Sequence, residues 1–279
     1  IAEEEMQAAL KLPIRLAPPQ PSSNKAPYFV DFVKAELIRL FKDRLGETEV
    51  SDLGFRVYTT LDTRLNQIAQ TSVANGITDL EARDKVAPPD RLEAALASVD
   101  PSTGYIRTLI GGRNYGQSNF NRILNMRRQV GSTFKPLVYL SAILKGTDPN
   151  GIPYGPAYPV EDAPWTLTYV AGQRIWSPKN YEKEFMGWIP MRKALANSIN
   201  TVAAKLGYTV GISELVQTAR SLGIESDLPK VPSLALGVAE LSPVDLLRAY
   251  ATIANRGMQV DLSVIRGVEH QENSQYNLQ

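Results

Sequence analysis

The chain contains no cysteine among its 279 residues, which excludes thiol catalysis, disulfide bonds and cysteine-ligated metals together. It contains a single histidine, His270, in the polar stretch GVEHQENSQ, which is typical of a solvated turn. A Ser-His-Asp mechanism and a histidine-ligated metal are therefore disfavoured, and we expect neither a metal nor a cofactor. Nucleophilic chemistry must take its base from lysine, aspartate, glutamate or tyrosine.

A strong net charge and long apolar runs are also missing. The 30 basic and 29 acidic residues leave a net charge of +1, and no basic cluster is interleaved with aromatic residues, so nucleic acid is not an expected partner. No apolar run reaches the roughly 18 residues of a membrane-spanning helix. The composition, 43% hydrophobic and 21% charged, is that of an ordinary globular protein. The opening IAEEEMQAALKL, without an initial methionine, predicts a boundary inside a longer protein.

Local patterns in the first half of the chain predict a linker, a helix and then β-structure. Residues 16–27 are rich in proline and serine and predict a linker, and residues 28–46 have the apolar spacing of a helix that ends on glycine. Residues 55–62 alternate as a strand does, and a helix is expected over 63–82. Two β-like runs around the turn DPSTG predict a hairpin within residues 91–112.

The second half is predicted to be mainly helical before strands resume near the end. Residues 146–190 show little periodicity and predict a long functional loop. Residues 191–211 predict two helical pieces around the polar break NSIN, and GISELVQTARSLGI predicts another helix. Residues 241–257 predict a helix with Ser242 as its N-cap. Because strands lie at both ends of this order, we expect an α+β fold with a sheet built from both ends of the chain.

One candidate for chemistry is the stretch RRQVGSTFKPLVYLSAIL, which predicts a helix from about Ser132 to Leu144. Ser132 and Lys135 are three apart, so on a helix they share a face and the amine can reach the hydroxyl. A lysine whose pKa is lowered by burial can act as the base for a serine nucleophile. An exposed serine–lysine pair without function remains the alternative, because S-x-x-K is a short pattern.

A second candidate is NSIN, where Ser198 and Asn200 are two residues apart in a break between helices. The hydroxyl can relay a proton and the amide can hold a substrate carbonyl. The alternative is a helix junction in which both residues serve only as caps.

Several further residues lie near these candidates. Arg122 and Arg127 could lower the lysine pKa through positive potential, or form surface salt bridges. One of Asp148, Asp162 and Glu182 could orient Lys135, and no spacing argument selects among them.

Two tryptophans, Trp176 and Trp188, precede NSIN in the Pro-rich region. They could line a cleft or pack beneath the long loop.

Taken together, GSTFKP followed by ANSINT resembles the first two motifs, S-x-x-K and S-x-N, of the penicillin-binding protein transpeptidases. The resemblance to class A members of this family covers nearly the whole chain in the same order. It includes SVDPSTGYIRTLIGGRNYGQSNFNR, WSPKNYEKEFMGWIPMRKALANSIN and PSLALGVAELSPVDLLRAYATIANRG. YFVDFVKAEL and FRVYTTLDTRLNQIAQ resemble the segment that joins the family's two domains, and EEEMQAALKLPIRL resembles the last helix of the glycosyltransferase domain.

The resemblance implies a role for each of four residues. Ser132 would be the acyl-accepting nucleophile, and its backbone N–H one oxyanion donor. Lys135 would be the activating base, Ser198 the proton relay, and Asn200 the group that holds a substrate amide carbonyl. The implied reaction is cross-linking of peptidoglycan stem peptides ending in D-Ala-D-Ala, with β-lactams acylating the same serine.

The resemblance also implies an organisation and a location. Residues 1–16 would end the glycosyltransferase domain, 17–54 would be the linker region, and 55–279 would be the transpeptidase domain. The implied architecture is the α+β penicillin-binding fold, an antiparallel sheet flanked by helices. A bifunctional synthase with a membrane anchor, on the extracytoplasmic face of a bacterial membrane, is the expected parent.

The family's third motif, K-T-G or a close variant, is absent from the sequence. KGT at residues 145–147 has another order and another place. We expect this to reflect truncation before that motif, with the fold incomplete at its C-terminus. A hydrolase on the same fold, such as a D,D-carboxypeptidase or a serine β-lactamase, and a catalytically silent scaffold are the alternatives.

The 279-residue chain alone is therefore expected to be weakly active or inactive. The third motif would supply the second oxyanion donor, and losing one such donor costs on the order of 10²–10³ in rate. Incubation with a fluorescent penicillin, followed by denaturing electrophoresis, measures the fraction of the chain that is acylated. Rapid, stoichiometric labelling of the isolated chain would refute the expectation.

Overall fold

The computed structural model describes residues 24–45, 54–85, 92–169, 174–182, 184–270 and 274–276. Within them the α-helices, labelled α1 to α8 in chain order, are Pro27–Leu45, Thr63–Asp84, Arg122–Asn125, Lys135–Lys145, Met191–Ala196, Asn200–Val210, Ile212–Ser221 and Pro243–Ala254. The strands, labelled β1 to β11, are Arg56–Thr59, Leu96–Val99, Ile106–Ile110, Arg128–Gln129, Pro159–Asp162, Leu167–Tyr169, Arg174–Trp176, Gly187–Pro190, Glu240–Leu241, Ile265–His270 and Ser274–Tyr276. Two 3₁₀ turns span Gly131–Phe134 and Pro232–Leu236.

A sheet built from both ends of the chain is confirmed. β1 pairs antiparallel with β10, with Val57 opposite Val268, and β10 pairs with β11. The expected turn around His270 is wrong in part, because His270 is the last residue of β10. The predicted hairpin is also confirmed as β2 paired with β3, and the Thr60 hydroxyl ties β3 to this sheet by donating to the Ile106 carbonyl at 2.6 Å.

Two hydrophobic clusters hold these elements together. The larger surrounds α4, whose residues Leu137 and Val138 are fully buried, and includes apolar side chains of α6 and α7. The smaller joins α1 to β3 and β10 through residues such as Phe29 and Ile106. Burial at about 25 cal/mol per Å² of apolar surface makes these clusters the main source of stability. The larger cluster fixes α4 and therefore the place of the first candidate motif.

Helix α8 confirms the predicted helix with Ser242 as its N-cap. Ser242 is the N-cap, and its hydroxyl accepts from the Asp245 N–H at 3.0 Å while the Asp245 carboxylate accepts from the Ser242 N–H. This reciprocal capping box satisfies two N–H groups that a helix start leaves free. The helix ends at Ala254, with Asn255 as its C-cap.

The expectation of one long loop over residues 146–190 is wrong. Four short strands lie there: β5 pairs antiparallel with β8, and β6 with β7. Each has three or four residues, too few for an alternating pattern to stand out in the sequence. Of the two tryptophans, Trp176 packs edge-on against Trp165 at 6.0 Å between ring centroids, whereas Trp188 is 70% exposed.

The turn before α4 is held by close contact between two glycines. Gly131 and Gly237 both have positive φ, 55° and 72°, and the Gly131 N–H donates to the Gly237 carbonyl at 3.0 Å. A Cβ on Gly237 would lie 2.1 Å from the Gly131 carbonyl oxygen. Only glycine fits here, so the backbone that leads into Ser132 is set by a distant turn.

Replacing Gly237 by alanine should destabilise the protein by about 2 kcal/mol or more, because overpacking adds to the cost of the left-handed backbone. Gly257→Ala is the matched control: its φ is also positive, at 86°, but no atom lies within 4 Å of the new Cβ. Urea denaturation of both variants gives the free energies of unfolding. Equal losses for the two would contradict the role of the Gly131 contact.

Candidate active site

Ser132 lies in an exposed 3₁₀ turn immediately before the buried helix α4. The predicted helix over this stretch is confirmed, but its α-helical part begins at Lys135. The cause is Pro136, whose ring in an α-helix would clash with the carbonyl four residues earlier, that of Ser132. The Ser132 carbonyl instead accepts from the Lys135 N–H in the tighter 3₁₀ pattern. The serine is thereby presented to solvent at the end of a rigid helix.

Lys135 is the most unusual side chain of the site, because its accessible surface is only 1% exposed. Its Nζ donates to the Ser198 carbonyl at 2.5 Å, to the Ser198 hydroxyl at 2.9 Å and to the Asn200 Oδ1 at 2.5 Å. The structure thus brings together three of the four predicted residues. An ammonium has three hydrogens, and each has an acceptor here.

Ser198 reaches the lysine through a strained backbone. It has φ 52°, a conformation that residues other than glycine rarely adopt, in the break between α5 and α6. Its N–H donates to the Leu195 carbonyl at 2.9 Å, and the next N–H, of Ile199, donates to Ala194 at 3.0 Å. This turn directs both the carbonyl and the hydroxyl of Ser198 to one amine. Strain of this kind is concentrated at functional sites.

Asn200 is the first residue of α6, and its amide is oriented from both sides. Its Nδ2 donates to the Lys179 carbonyl at 2.8 Å, which leaves Oδ1 to accept from Lys135. Lys179 belongs to the segment between β7 and β8, in the region first expected to be one loop. Three separated parts of the chain therefore meet at the side chain of Asn200.

Burial lowers the pKa of Lys135 from its ordinary 10.5 to about 8. The oxygens that contact the amine are all neutral, and no ion pair to Lys135 occurs within the described ranges. At a pKa of about 8, about a tenth of the molecules carry a neutral amine at pH 7. A neutral amine of this kind can accept a proton from a hydroxyl.

The side chains of Ser132 and Lys135 are not hydrogen-bonded to each other, although the helical spacing predicts that they meet. In the part of the chain that the structure describes, the Ser132 hydroxyl forms no hydrogen bond, and the amine points to Ser198 and Asn200. The three hydrogens of the Lys135 ammonium are already donated to the Ser198 carbonyl, the Ser198 hydroxyl and the Asn200 Oδ1. Lys135 nevertheless forms a hydrogen bond with the Ser198 hydroxyl, along which a proton can be transferred.

The charged neighbours named from the sequence do not contact the lysine. Arg122 pairs with Glu93 at 3.2 Å, and Arg127 donates to the adjacent Met126 carbonyl. The salt bridge named as the alternative is thus observed for Arg122, whereas within the described residues Arg127 has only this backbone hydrogen bond.

The three acidic residues that were candidates for orienting Lys135 lie in different surroundings. Glu182 is exposed. Asp148 accepts from the Tyr158 hydroxyl and from the N–H groups of Asn150 and Ile152. Asp162 is fully buried and bonds to residues around Asn200.

Asn180 is the site residue that sequence reasoning missed. Its Oδ1 accepts from the N–H groups of Asn200 and Thr201, at 3.0 and 3.1 Å, and its Nδ2 donates to Asp162 at 2.8 Å. It lies 20 residues before Asn200, too far for any local pattern to connect the two. The SPKN segment carried no signal beyond its place in a stretch that resembles a family.

Comparison with known proteins identifies the relatives of this site. The penicillin binding protein transpeptidase domain family matches residues 94–278. The chain belongs to this family. Penicillin-binding protein 1B of Vibrio cholerae is 35% identical over 266 residues, which are 95% of this chain and 32% of that protein. The chain therefore spans about a third of the length of the curated relatives it matches.

Solved structures show the same transpeptidase fold. Penicillin-binding protein 1A from Haemophilus influenzae superposes with a TM-score of 0.79 at 22% identity, covering 100% of this chain and 53% of that one. The PonA1 protein from Mycobacterium tuberculosis, in complex with penicillin V, gives 0.73 at 24% identity, covering 90% and 64%. The predicted α+β penicillin-binding fold is confirmed.

Metal-binding clusters and membrane-spanning helices are both missing from the described residues. These residues hold no group of three or more histidine, cysteine, aspartate or glutamate side chains placed to bind a metal ion. Nor do they include a helix that is both long and apolar enough to cross a membrane.

The amine of Lys135 should titrate near pH 8. Because its folded pKa lies below the unfolded 10.5, the unfolded state binds more protons between these values, so stability should rise with pH through that window. NMR titration of ¹⁵N-lysine-labelled protein measures the midpoint, and Lys135→Met assigns the signal by removing it. A midpoint near 10.5 would show that the amine is not buried as the structure has it.

Proposed function

We propose that this chain is the D,D-transpeptidase unit of a bifunctional peptidoglycan synthase and that Ser132 is its nucleophile. The observation that carries the proposal is the buried amine of Lys135, with its lowered pKa, one helical turn from an exposed serine and bonded to Ser198. Membership of the transpeptidase family supports the reaction class. Peptidoglycan stem peptides ending in D-Ala-D-Ala are the proposed substrates.

In the acylation step, neutral Lys135 accepts the hydroxyl proton of Ser132 as Oγ attacks the carbonyl carbon of the D-Ala-D-Ala peptide bond. A C–O bond forms and the C–N bond breaks. The proton moves from Lys135 through the Ser198 hydroxyl, 2.9 Å away, to the amine of the departing D-alanine. The enzyme then holds the stem peptide as an ester on Ser132.

In the second step the amine of another stem peptide attacks this ester. It gives its proton to Ser198, the new C–N bond forms, and Ser132 recovers its hydrogen as the C–O bond breaks. Asn200 uses one Nδ2 hydrogen to donate to Lys179, and the other is available for a substrate amide carbonyl. The backbone N–H of Ser132, at the start of α4, is the proposed oxyanion donor.

β-Lactams would acylate the same serine. Attack by Oγ opens the lactam C–N bond, and the ring nitrogen takes the proton. The solved complex of the PonA1 relative with penicillin V supports this ligand class.

We further propose that the site works on the extracytoplasmic face of a bacterial membrane. Within that proposal, residues 55–279 form the transpeptidase domain, residues 17–54 the linker region and residues 1–16 the end of a glycosyltransferase domain. The structure does not describe residues 1–23, which include all of the last part and the start of the linker region.

A hydrolase on this fold is the weaker candidate. Hydrolysis of the ester needs a base that activates water. The buried carboxylate of Asp162 is engaged by three donors and accepts no bond from Lys135. A silent scaffold does not explain why Lys135 is buried among neutral oxygens, with no charged partner in the part of the chain that the structure describes.

Mass spectrometry of the complete gene product after penicillin treatment tests the nucleophile. We expect one adduct on the peptide that contains Ser132, absent from Ser132→Ala because this variant lacks the Oγ that attacks the lactam carbonyl. Thr133→Ala is the matched control: it removes the adjacent exposed hydroxyl, which bonds only to the Val130 carbonyl, and should keep the adduct.

No adduct in the folded wild type would favour the scaffold. Incubation with stem-peptide substrate then separates the two enzymes, because a transpeptidase yields cross-linked dimer and a carboxypeptidase yields only free D-alanine.

A further inference from the structure

Asp162 is a fully buried carboxylate at the end of β5, and it serves the site only through other residues. It accepts from the Thr201 hydroxyl at 2.5 Å, from the Asn180 Nδ2 at 2.8 Å and from the Met186 N–H at 2.9 Å. A buried charge is tolerated only when it is paired or fully hydrogen-bonded. Burial by itself raises the pKa of Asp162, but these bonds hold it below its ordinary range.

Asn180 connects this carboxylate to the start of α6. The N-cap residue of that helix, Ile199, has no side chain able to accept a hydrogen bond. Asn180 takes its place, because its Oδ1 accepts from the first two N–H groups of the helix, those of Asn200 and Thr201. An asparagine can do this in one amide orientation only, and the bond from its Nδ2 to Asp162 selects that orientation.

The start of α6 in turn orients the lysine. Asn200 accepts from Lys135 and donates to the Lys179 carbonyl, the residue next to Asn180. A continuous set of hydrogen bonds therefore runs from Asp162 through Asn180 and Asn200 to the amine of Lys135.

We propose that Asp162, acting through Asn180, is a positioning residue for the Lys135 base. This inference rests on the proposed function of Lys135 and Ser132. Asp162 does not contact the amine, and this separation is part of its use: a carboxylate bonded directly to Lys135 would favour the charged amine and remove the base. Joined to the amine only through Asn180 and Asn200, it supplies rigidity to the site.

Exchanging the two side chains isolates this role. In Asp162→Asn an amide NH₂ group faces either the Met186 N–H or the Asn180 Nδ2, so either the bond that holds residue 162 to Met186 or the bond that orients Asn180 is lost. In Asn180→Asp a carboxylate faces the Asp162 carboxylate. The double exchange, Asp162→Asn with Asn180→Asp, restores a donor–acceptor pair between the two side chains, with the Thr201 hydroxyl accepting from the new amide instead of donating to Asp162. The new amide at position 162 would donate to the new carboxylate at position 180, that carboxylate would still accept from α6, and Met186 would keep its acceptor.

The rate constant of penicillin acylation, per active site and at fixed pH, is measured in the complete gene product. We expect a loss of about 10- to 100-fold in each single variant, because small displacements of catalytic groups cost this much, and recovery in the double exchange. The matched control is Asp148→Asn, a carboxylate that also accepts from two backbone N–H groups and one hydroxyl but is not bonded to α6. It should stay within about twofold of wild type.

Single variants that acylate at the wild-type rate would overturn the inference, as would an equal loss in Asp148→Asn or no recovery in the double exchange. A second readout does not depend on acylation. Asn180→Ala changes no charge, and it should raise the Lys135 titration midpoint measured by NMR from about 8 towards 10.5, because the amine gains access to water. An unchanged midpoint overturns the positioning role.

The two readouts also separate this inference from the proposed function. If wild type forms no adduct on Ser132, the proposed function fails, while the midpoint in Asn180→Ala still decides whether Asp162 and Asn180 position the lysine.

Discussion

The site depends on the burial of one amine. Removing an ammonium from water is costly, and Lys135 compensates with three oxygen acceptors supplied by Ser198 and Asn200. Those acceptors are neutral, so the charged and uncharged forms of the amine come close in free energy near neutral pH. A carboxylate in the same place would have favoured the charged form and removed the base. The chemistry proposed for Ser132 follows from this balance.

The surrounding backbone is constrained to keep that arrangement. Pro136 forces a 3₁₀ turn at Ser132, and the backbone contact between Gly131 and Gly237 stabilises that turn. Ser198 adopts a left-handed conformation. Of these, the left-handed backbone of Ser198 departs from what a serine readily adopts unaided. Such departures persist only where packing over-determines them, and here the tightly packed cluster around α4 does so.

Family membership and geometry contribute different knowledge about this chain. The family match gives the class of reaction, and the solved relatives give the fold. Neither shows how the lysine is held in this particular sequence. The hydrogen bonds that Asp162 and Asn180 accept from the start of α6 provide that account. Asp162 ends β5 and Asn180 lies between β7 and β8, in a region that has no periodic pattern.

The sequence by itself determined the elements whose signals are local. The N-cap of α8, the apolar run of α4, the DPSTG hairpin and the helix break at NSIN were all predictable, because caps, turns and periodicity act over a few residues. Short motifs also named Ser132, Lys135, Ser198 and Asn200, although not their contacts. Only the tertiary structure decided that Lys135 bonds to Ser198 and Asn200, that β5 to β8 form strands, and that Asn180 caps α6. The contacts of Lys135 and Asn180 with Asn200 join residues 65 and 20 positions apart, a separation that no local pattern records. Strands of three or four residues are too short for an alternating pattern to stand out.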